Sequence, residues 1–222
     1  MYRFVNRKEY QSIRLQDWEH GCGHMGKLFG FRERQDHFFH MAPIPWTTFT
    51  EPQITRRLVH FLTEFGPEST ITRERFRCVL QALGIEPPKK ITHLEAHAEK
   101  LIPSGRRIDI YLEWRDDDGR FCNAAIEAKF GHTLTPGQMA EYRKFATNRP
   151  QRRAGDSNPP HLIVLTPARR SSDLAAMQRN RDWRFMSWRR FLLSLAQFSP
   201  TAEMQGDFSS YLRTVWRTAY NL

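Results

Sequence analysis

Glu127-Ala128-Lys129 places a carboxylate and an ammonium two residues apart within Ala124–Phe130, a segment whose apolar residues alternate. Successive strand side chains point to opposite faces. Glu127 and Lys129 therefore share one face, and Ile126, Ala128 and Phe130 take the other. A second alternating segment, Arg107–Trp114, carries Asp109 and sets Ile108, Ile110 and Leu112 on its apolar face. Asp116-Asp117-Asp118-Gly119 between the two is a turn of the kind that joins antiparallel strands. A hairpin through Gly119 would bring Asp109 beside Glu127.

Two acids and a lysine projecting together from a sheet built for burial suit the hydrolysis of a phosphodiester. Oxygen ligands on adjacent strands can hold a hard cation such as Mg²⁺, which keeps most of its waters and contacts a phosphate oxygen. Such a cation lowers the pKa of a bound water and stabilises the charge that develops on phosphorus. Lys129 is placed to orient that water or to stabilise its hydroxide form. The same three residues would also fit a cross-face ion pair with a solvated Asp109, so the elements around them decide between the two readings.

Those elements alternate in type. Thr50-Glu51-Pro52 opens a helix, with a hydroxyl at the cap, an acid in the first turn and Pro near the first position. Ile54, Leu58, Phe61, Leu62 and Phe65 continue it at helical spacing until Gly66-Pro67. A second helix is predicted from Thr72 to Leu83, then a strand over Ile91–Leu101 and the two segments above. Thr135-Pro136-Gly137-Gln138 begins a further helix that runs to Phe145 or beyond. His161–Leu165 is a short apolar run suited to a strand buried on both faces. A helix near Ser172–Arg179, a strand at Trp183–Ser187, a helix from Trp188 to Gln197 and a last helix over Phe208–Tyr220 complete the series. The fold class predicted is α/β, a central mixed β-sheet flanked by helices. Residues 1–48, aromatic and rich in His and Gly, read as an N-terminal arm or cap, 49–197 as the core, and 198–222 as a C-terminal helical extension.

In order and spacing the chain resembles the PD-(D/E)XK nuclease superfamily, the restriction-endonuclease-like fold. The pattern there is a helix with an acid, a strand with Asp, a strand with E-x-K, a helix and another strand. Glu51, Asp109 in Arg-Ile-Asp-Ile, and Glu127-Ala128-Lys129 take those places, and Ile108 stands where the Pro of the family name would be. Gln138 and Tyr142 look like the Q-x-x-x-Y signature of RecB-like members. Trp183-Arg-Phe-Met-Ser-Trp188 looks like a late strand ending in Ser-Trp that some bacterial members share. The resemblance spans roughly residues 49–195. It implies Mg²⁺ or Mn²⁺ held by Asp109, Glu127 and the Ala128 carbonyl, with Glu51 assisting directly or through water. It implies Lys129 acting on the nucleophilic water, a nucleic-acid substrate, DNA in the first place, and a bacterial defence or repair setting.

Each supporting residue has an ordinary structural alternative. Glu51 would also complement the helix dipole. Gln138 falls three residues after Thr135, so Thr-x-x-Gln is also a capping box. Tyr142, one turn on, would pack in a core. Glu95 and Glu99 on the preceding strand could add acids. His20-Gly-Cys22-Gly-His24 with His37 and His40 lacks the paired spacing of a structural zinc site and reads as a His-rich arm.

Charge separates along the chain. Residues 1–48 hold 7 Lys/Arg against 5 Asp/Glu, 49–142 hold 13 against 14, and 143–222 hold 14 against 5. The last third carries almost all of the net +10, and 13 of its 14 cations are Arg. Guanidinium pairs with phosphate in a bidentate fork, so this field suits a nucleic-acid backbone. Arg152-Arg153, Arg169-Arg170, Arg179, Arg181 and Arg189-Arg190 would supply the contacts, and Trp183, Trp188 or Trp216 could stack on bases, although Trp188 and Trp216 read first as core. A binding module without catalysis, or a subunit of a larger complex, is the rival function. Three widely spaced cysteines offer no disulfide framework. With no spanning apolar run and no signal-like start, the expectation is a cytoplasmic protein away from membranes, with a homodimer or partner proteins both compatible.

Overall fold

The computed structural model describes residues 50–130, 134–148, 158–167, 178–198 and 215. The predicted arm of residues 1–48, the His/Cys cluster within it, Arg152-Arg153, Arg169-Arg170, Trp216 and nearly all of the C-terminal extension lie outside these residues.

Two helices open the described chain, α1 (Glu51–Thr63) and α2 (Thr70–Ala82). Gln53 reaches back to accept from the Thr50 N–H at 2.9 Å, which fixes the first turn of α1 and the direction in which Glu51 leaves it. Three strands follow, β1 (Thr92–Leu101), β2 (Arg107–Arg115) and β3 (Phe121–Ala128), then α3 (Gln138–Thr147), β4 (His161–Thr166), β5 (Trp183–Ser187) and α4 (Trp188–Phe198). The five strands form one mixed sheet in the order β1-β2-β3-β4-β5. The pairs β1/β2 and β2/β3 are antiparallel; β3/β4 and β4/β5 are parallel. This is the α/β architecture that the alternation of periods predicts, and it agrees with the restriction-endonuclease-like core that the resemblance implies.

β3 begins three residues before the predicted segment and ends at Ala128, because its partner β2 extends to Arg115, which pairs with Phe121. The turn between them is held by Asp116, whose Oδ1 accepts from the N–H groups of Asp118 and Arg120. Gly119 adopts φ +72°, a conformation open to glycine.

Apolar residues cover both sheet faces. Ile110, Leu112, Ala124, Ile126, Ile163 and Leu165 pack with Leu58 of α1, Phe76 and Val79 of α2, and Phe191 of α4. On the other face Tyr111, Ala125, Leu162 and Val164 pack with Met139, Tyr142 and Ala146 of α3. Ile108, expected with Ile110 and Leu112, belongs to this second cluster together with Ile102. It stands at the start of β2, where the chain folds back through the Ile102–Arg106 turn. All eight residues of β3 are buried, so the middle of the sheet is the most desolvated part of the fold.

Candidate active site

The register places the chemistry. Ile110 pairs with Ile126 across β2 and β3, so the next step of the antiparallel ladder sets Asp109 against Glu127. Both occupy the face that α3 covers, as the alternation requires. The two carboxyls are close enough for the Asp109 charge to act on Glu127, and Asp109 Oδ2 accepts from the Ala128 N–H at 2.7 Å. Glu127 is fully buried.

Lys129 follows the end of β3, its backbone held by an N–H donated to the Leu165 carbonyl at 2.8 Å. Its carbonyl accepts from the Trp188 indole at 3.0 Å, and that indole stacks on Phe130 with centroids 4.6 Å apart. The main chain is thereby fixed on both sides of the ammonium. Nζ lies 2.5 Å from Glu127 Oε1 and 3.8 Å from Glu51 Oε2. Glu51 Oε1 accepts from the Phe130 N–H at 3.3 Å. The first turn of α1 is thus attached to the end of β3, across 79 residues of sequence.

Gln138 does not take the capping-box place that Thr-x-x-Gln offered, because α3 begins at Gln138 itself with Gly137 as its N-cap. Its Oε1 accepts from the Thr135 N–H at 3.2 Å in the turn before the helix, while its Nε2 donates to Glu127 Oε1 at 2.7 Å. The Tyr142 hydroxyl, one turn along, lies 2.8 Å from the same Nε2 and donates to the Arg107 carbonyl. Tyr142 is both core and site neighbour, with 1% of its surface exposed.

Electrostatics follow from this burial. Desolvation is the main cause that raises both the Asp109 and the Glu127 carboxyl above the ordinary range, and their mutual repulsion adds to it for Glu127. Burial alone would lower the Lys129 pKa, but Glu127, Asp109 and Glu51 outweigh it and the net shift is upward. The lysine is an ammonium, and the acid pair holds a proton more tightly than free carboxylates do.

A divalent cation fits these residues. Glu127 Oε2 is buried and has no hydrogen-bond partner among the described residues, a costly state for a carboxylate oxygen. The donors are oxygens, as Mg²⁺ and Mn²⁺ require. A profile of the PD-(D/E)XK nuclease superfamily matches residues 61–205 of the 222, a span that contains Asp109, Glu127, Lys129, Gln138 and Tyr142. The chain belongs to the PD-(D/E)XK nuclease superfamily. Comparison with curated proteins and with solved structures found no match. Members of this PD-(D/E)XK superfamily use divalent metals to act on nucleic acid.

Other expectations divide. Trp183, considered for base stacking, is buried on β5 within the α3-side core and cannot present its ring to a base. Trp188 is core, as first read. Arg184 is anchored, donating to the carbonyls of Leu83 and Gly84 at the end of α2. Arg179, Arg181 and Arg190 are exposed. Sequence reasoning missed a second group of possible ligands: single side-chain donor atoms of Glu95, His97 and Glu113 lie within 4.8 Å of one another. The signal was there in the i, i+2 spacing of Glu95 and His97 on one strand opposite Glu113. It also missed the indole that holds the Lys129 carbonyl.

Among the described residues, no helix is long and apolar enough to cross a membrane.

Proposed function

We propose that this chain is a nuclease that hydrolyses phosphodiester bonds of DNA, using Mg²⁺ or Mn²⁺ held by Asp109 and Glu127. One observation carries the reading: half-buried Asp109 and fully buried Glu127 meet Lys129, Gln138 and Glu51 at the end of one strand. When bound, the cation would activate a water and offset charge on the phosphate being attacked.

The chain's own residues do the rest. Asp109, pinned through Oδ2 to the Ala128 N–H, and Glu127, pinned through Oε1 to Gln138 and Lys129, are fixed before any ligand arrives. Preorganised groups of this kind need no rearrangement as the reaction proceeds. By family resemblance the Ala128 carbonyl joins them as a ligand. Lys129, kept protonated by the acids around it, donates hydrogen bonds from Nζ to the attacking oxygen or to a phosphate oxygen. Glu51 holds that ammonium at the site. Exposed arginines of the last third, Arg179, Arg181 and Arg190 among them, grip the phosphate backbone. Gln138 with Tyr142 supports placement among RecB-like members, for which a bacterial defence or repair setting is typical.

The test is incubation of the protein with plasmid, linear duplex, single-stranded DNA and RNA, each with Mg²⁺, Mn²⁺ or EDTA. Metal-dependent cleavage of DNA is expected. Binding to every substrate without cleavage under any metal would leave a binding module in place of the nuclease.

A further inference from the structure

The β2/β3 ladder reaches Ile110 and Ile126, and past it the Ala128 N–H turns to the Asp109 carboxylate. The Lys129 N–H goes instead to the Leu165 carbonyl of β4. The next peptide, between Lys129 and Phe130, is held at both ends. Its C=O, on Lys129, accepts from the Trp188 indole at 3.0 Å, and its N–H, on Phe130, donates to Glu51 Oε1 at 3.3 Å. The C=O and N–H of a trans peptide point in opposite directions, so Trp188 and Glu51 grip it from opposite sides.

This clamp bears on the ammonium. Glu51 turns its other oxygen, Oε2, toward Lys129 Nζ at 3.8 Å, and Nζ lies 2.5 Å from Glu127 Oε1. A rotation of the Lys129–Phe130 peptide would move the backbone that carries the lysine and release the carboxylate that faces its head. The indole is itself fixed. Trp188 is fully buried between Phe130, stacked at 4.6 Å, and Phe191, edge-on at 5.9 Å. Its place at the start of α4 is set by Ser187, which pairs with Thr166 of β4 and accepts the Arg190 N–H on Oγ at 3.1 Å. Leu165, whose carbonyl takes the Lys129 N–H, pairs with Met186, two residues before the indole. The C-terminal ends of β4 and β5 therefore supply a partner to each backbone group of Lys129.

We propose that Trp188 is a positioning residue for Lys129: its indole N–H locks the Lys129–Phe130 peptide so that Nζ stays between Glu127 and Glu51. This rests on the nuclease reading of the site. Without the N–H, a part-buried carbonyl loses its donor, and the peptide is free to turn toward another partner. Lys129 would keep its charge but lose its fixed place. A displacement of about 1 Å at a reacting centre can cost about 100-fold in rate.

The test compares two changes around the same ring, in the full chain, with Mg²⁺ and a DNA substrate. Trp188→Phe keeps an aromatic ring against Phe130 and removes the donor. Phe191→Leu trims the ring packed edge-on against Trp188 and leaves the donor in place. In Trp188→Phe, kcat should fall about 10–100-fold, with KM and DNA affinity within about 3-fold of wild type. Phe191→Leu should melt lower than wild type yet keep kcat within about 3-fold, because it disturbs packing alone. Equal losses of kcat in the two variants would show that core packing supports the site, and would overturn the proposal. So would an unchanged kcat in Trp188→Phe. Should Trp188→Phe fail to fold, the benzothiophene analogue of Trp188, with sulfur where the indole has N–H, decides. It keeps the size of the ring and should show the same fall in kcat; an unchanged kcat would overturn the proposal. Wild type that cuts no nucleic acid with any metal would remove the nuclease reading itself, a result that none of the variant outcomes resembles.

Discussion

Glu127 Oε1 receives two donors at once, Lys129 Nζ at 2.5 Å and Gln138 Nε2 at 2.7 Å, and they come from different elements. One donor lies two residues along the chain, just past the end of β3. The other opens α3, so the orientation of a fully buried carboxylate depends on how that helix is seated. Its other oxygen is buried and has no hydrogen-bond partner among the described residues.

From this follows a prediction about Gln138. Gln138→Leu keeps the approximate volume and removes the donor to Glu127 and the acceptor for Thr135. Groups that orient a metal ligand commonly alter metal affinity or activity by about 10–100-fold, and a fall in that range is expected in kcat, with KM little changed. Tyr142→Phe, which strands the Arg107 carbonyl and one Gln138 N–H, should lower stability by about 1–3 kcal/mol in urea denaturation. Full activity in Gln138→Leu would mean that Glu127 needs no help from α3.

A second prediction concerns pH. Burial raises the carboxyl pair above the ordinary range, so the folded metal-free protein binds protons more tightly than the unfolded chain. Stability contributed by this pair is present at acid pH and declines as pH rises past the ordinary carboxylate value of 4.5 toward and beyond neutrality. Lys129 has the same sign, but its loss falls at far higher pH. A cation replaces the proton that the pair holds, so Mg²⁺ should bind more tightly as pH rises and should release a proton. Calorimetry at pH 7 in buffers of different ionisation enthalpy measures this directly. An enthalpy independent of the buffer would contradict it.

The basic last third yields a third prediction. Arg181→Ala and Arg190→Ala, tested singly, should weaken DNA binding and reduce the slope of log K against log salt by about 0.9 per lost phosphate contact on duplex. Arg184→Ala should act differently, lowering stability through the end of α2. Unchanged slopes for Arg181 and Arg190 would place the nucleic acid on another face.

Much of this fold could be read before the coordinates, for particular reasons. Arg107–Trp114 alternates and carries Asp109 and Glu113 opposite its apolar face, so both its strand and the direction of Asp109 were legible. His161–Leu165 is a short apolar run and Trp183–Ser187 a short strand between polar segments, and both became parallel strands. β1 was harder to read, because Ala and Glu blur its period and a left-handed residue breaks its ladder. The link from Trp188 to the Lys129 carbonyl spans 59 residues and depends on how α4 packs. Trp183 was misread as a stacking ring because an aromatic beside arginines looks the same in sequence whether it faces solvent or core; the α3-side cluster decides it.

Cleavage and binding measured together on the same DNA, for wild type, Glu127→Gln, Asp109→Asn and Lys129→Ala, test the central claim most directly. Wild type should cut in Mg²⁺ and stop in EDTA. Each variant should lose at least about 10³-fold in single-turnover rate, the equivalent of several kcal/mol of transition-state stabilisation. Affinity for DNA should stay within about 3-fold, because the arginine field supplies most of it. Losing rate while keeping affinity is the mark of groups that act in the transition state. Normal cutting by all three variants, or no metal-dependent cleavage by wild type, would contradict the account.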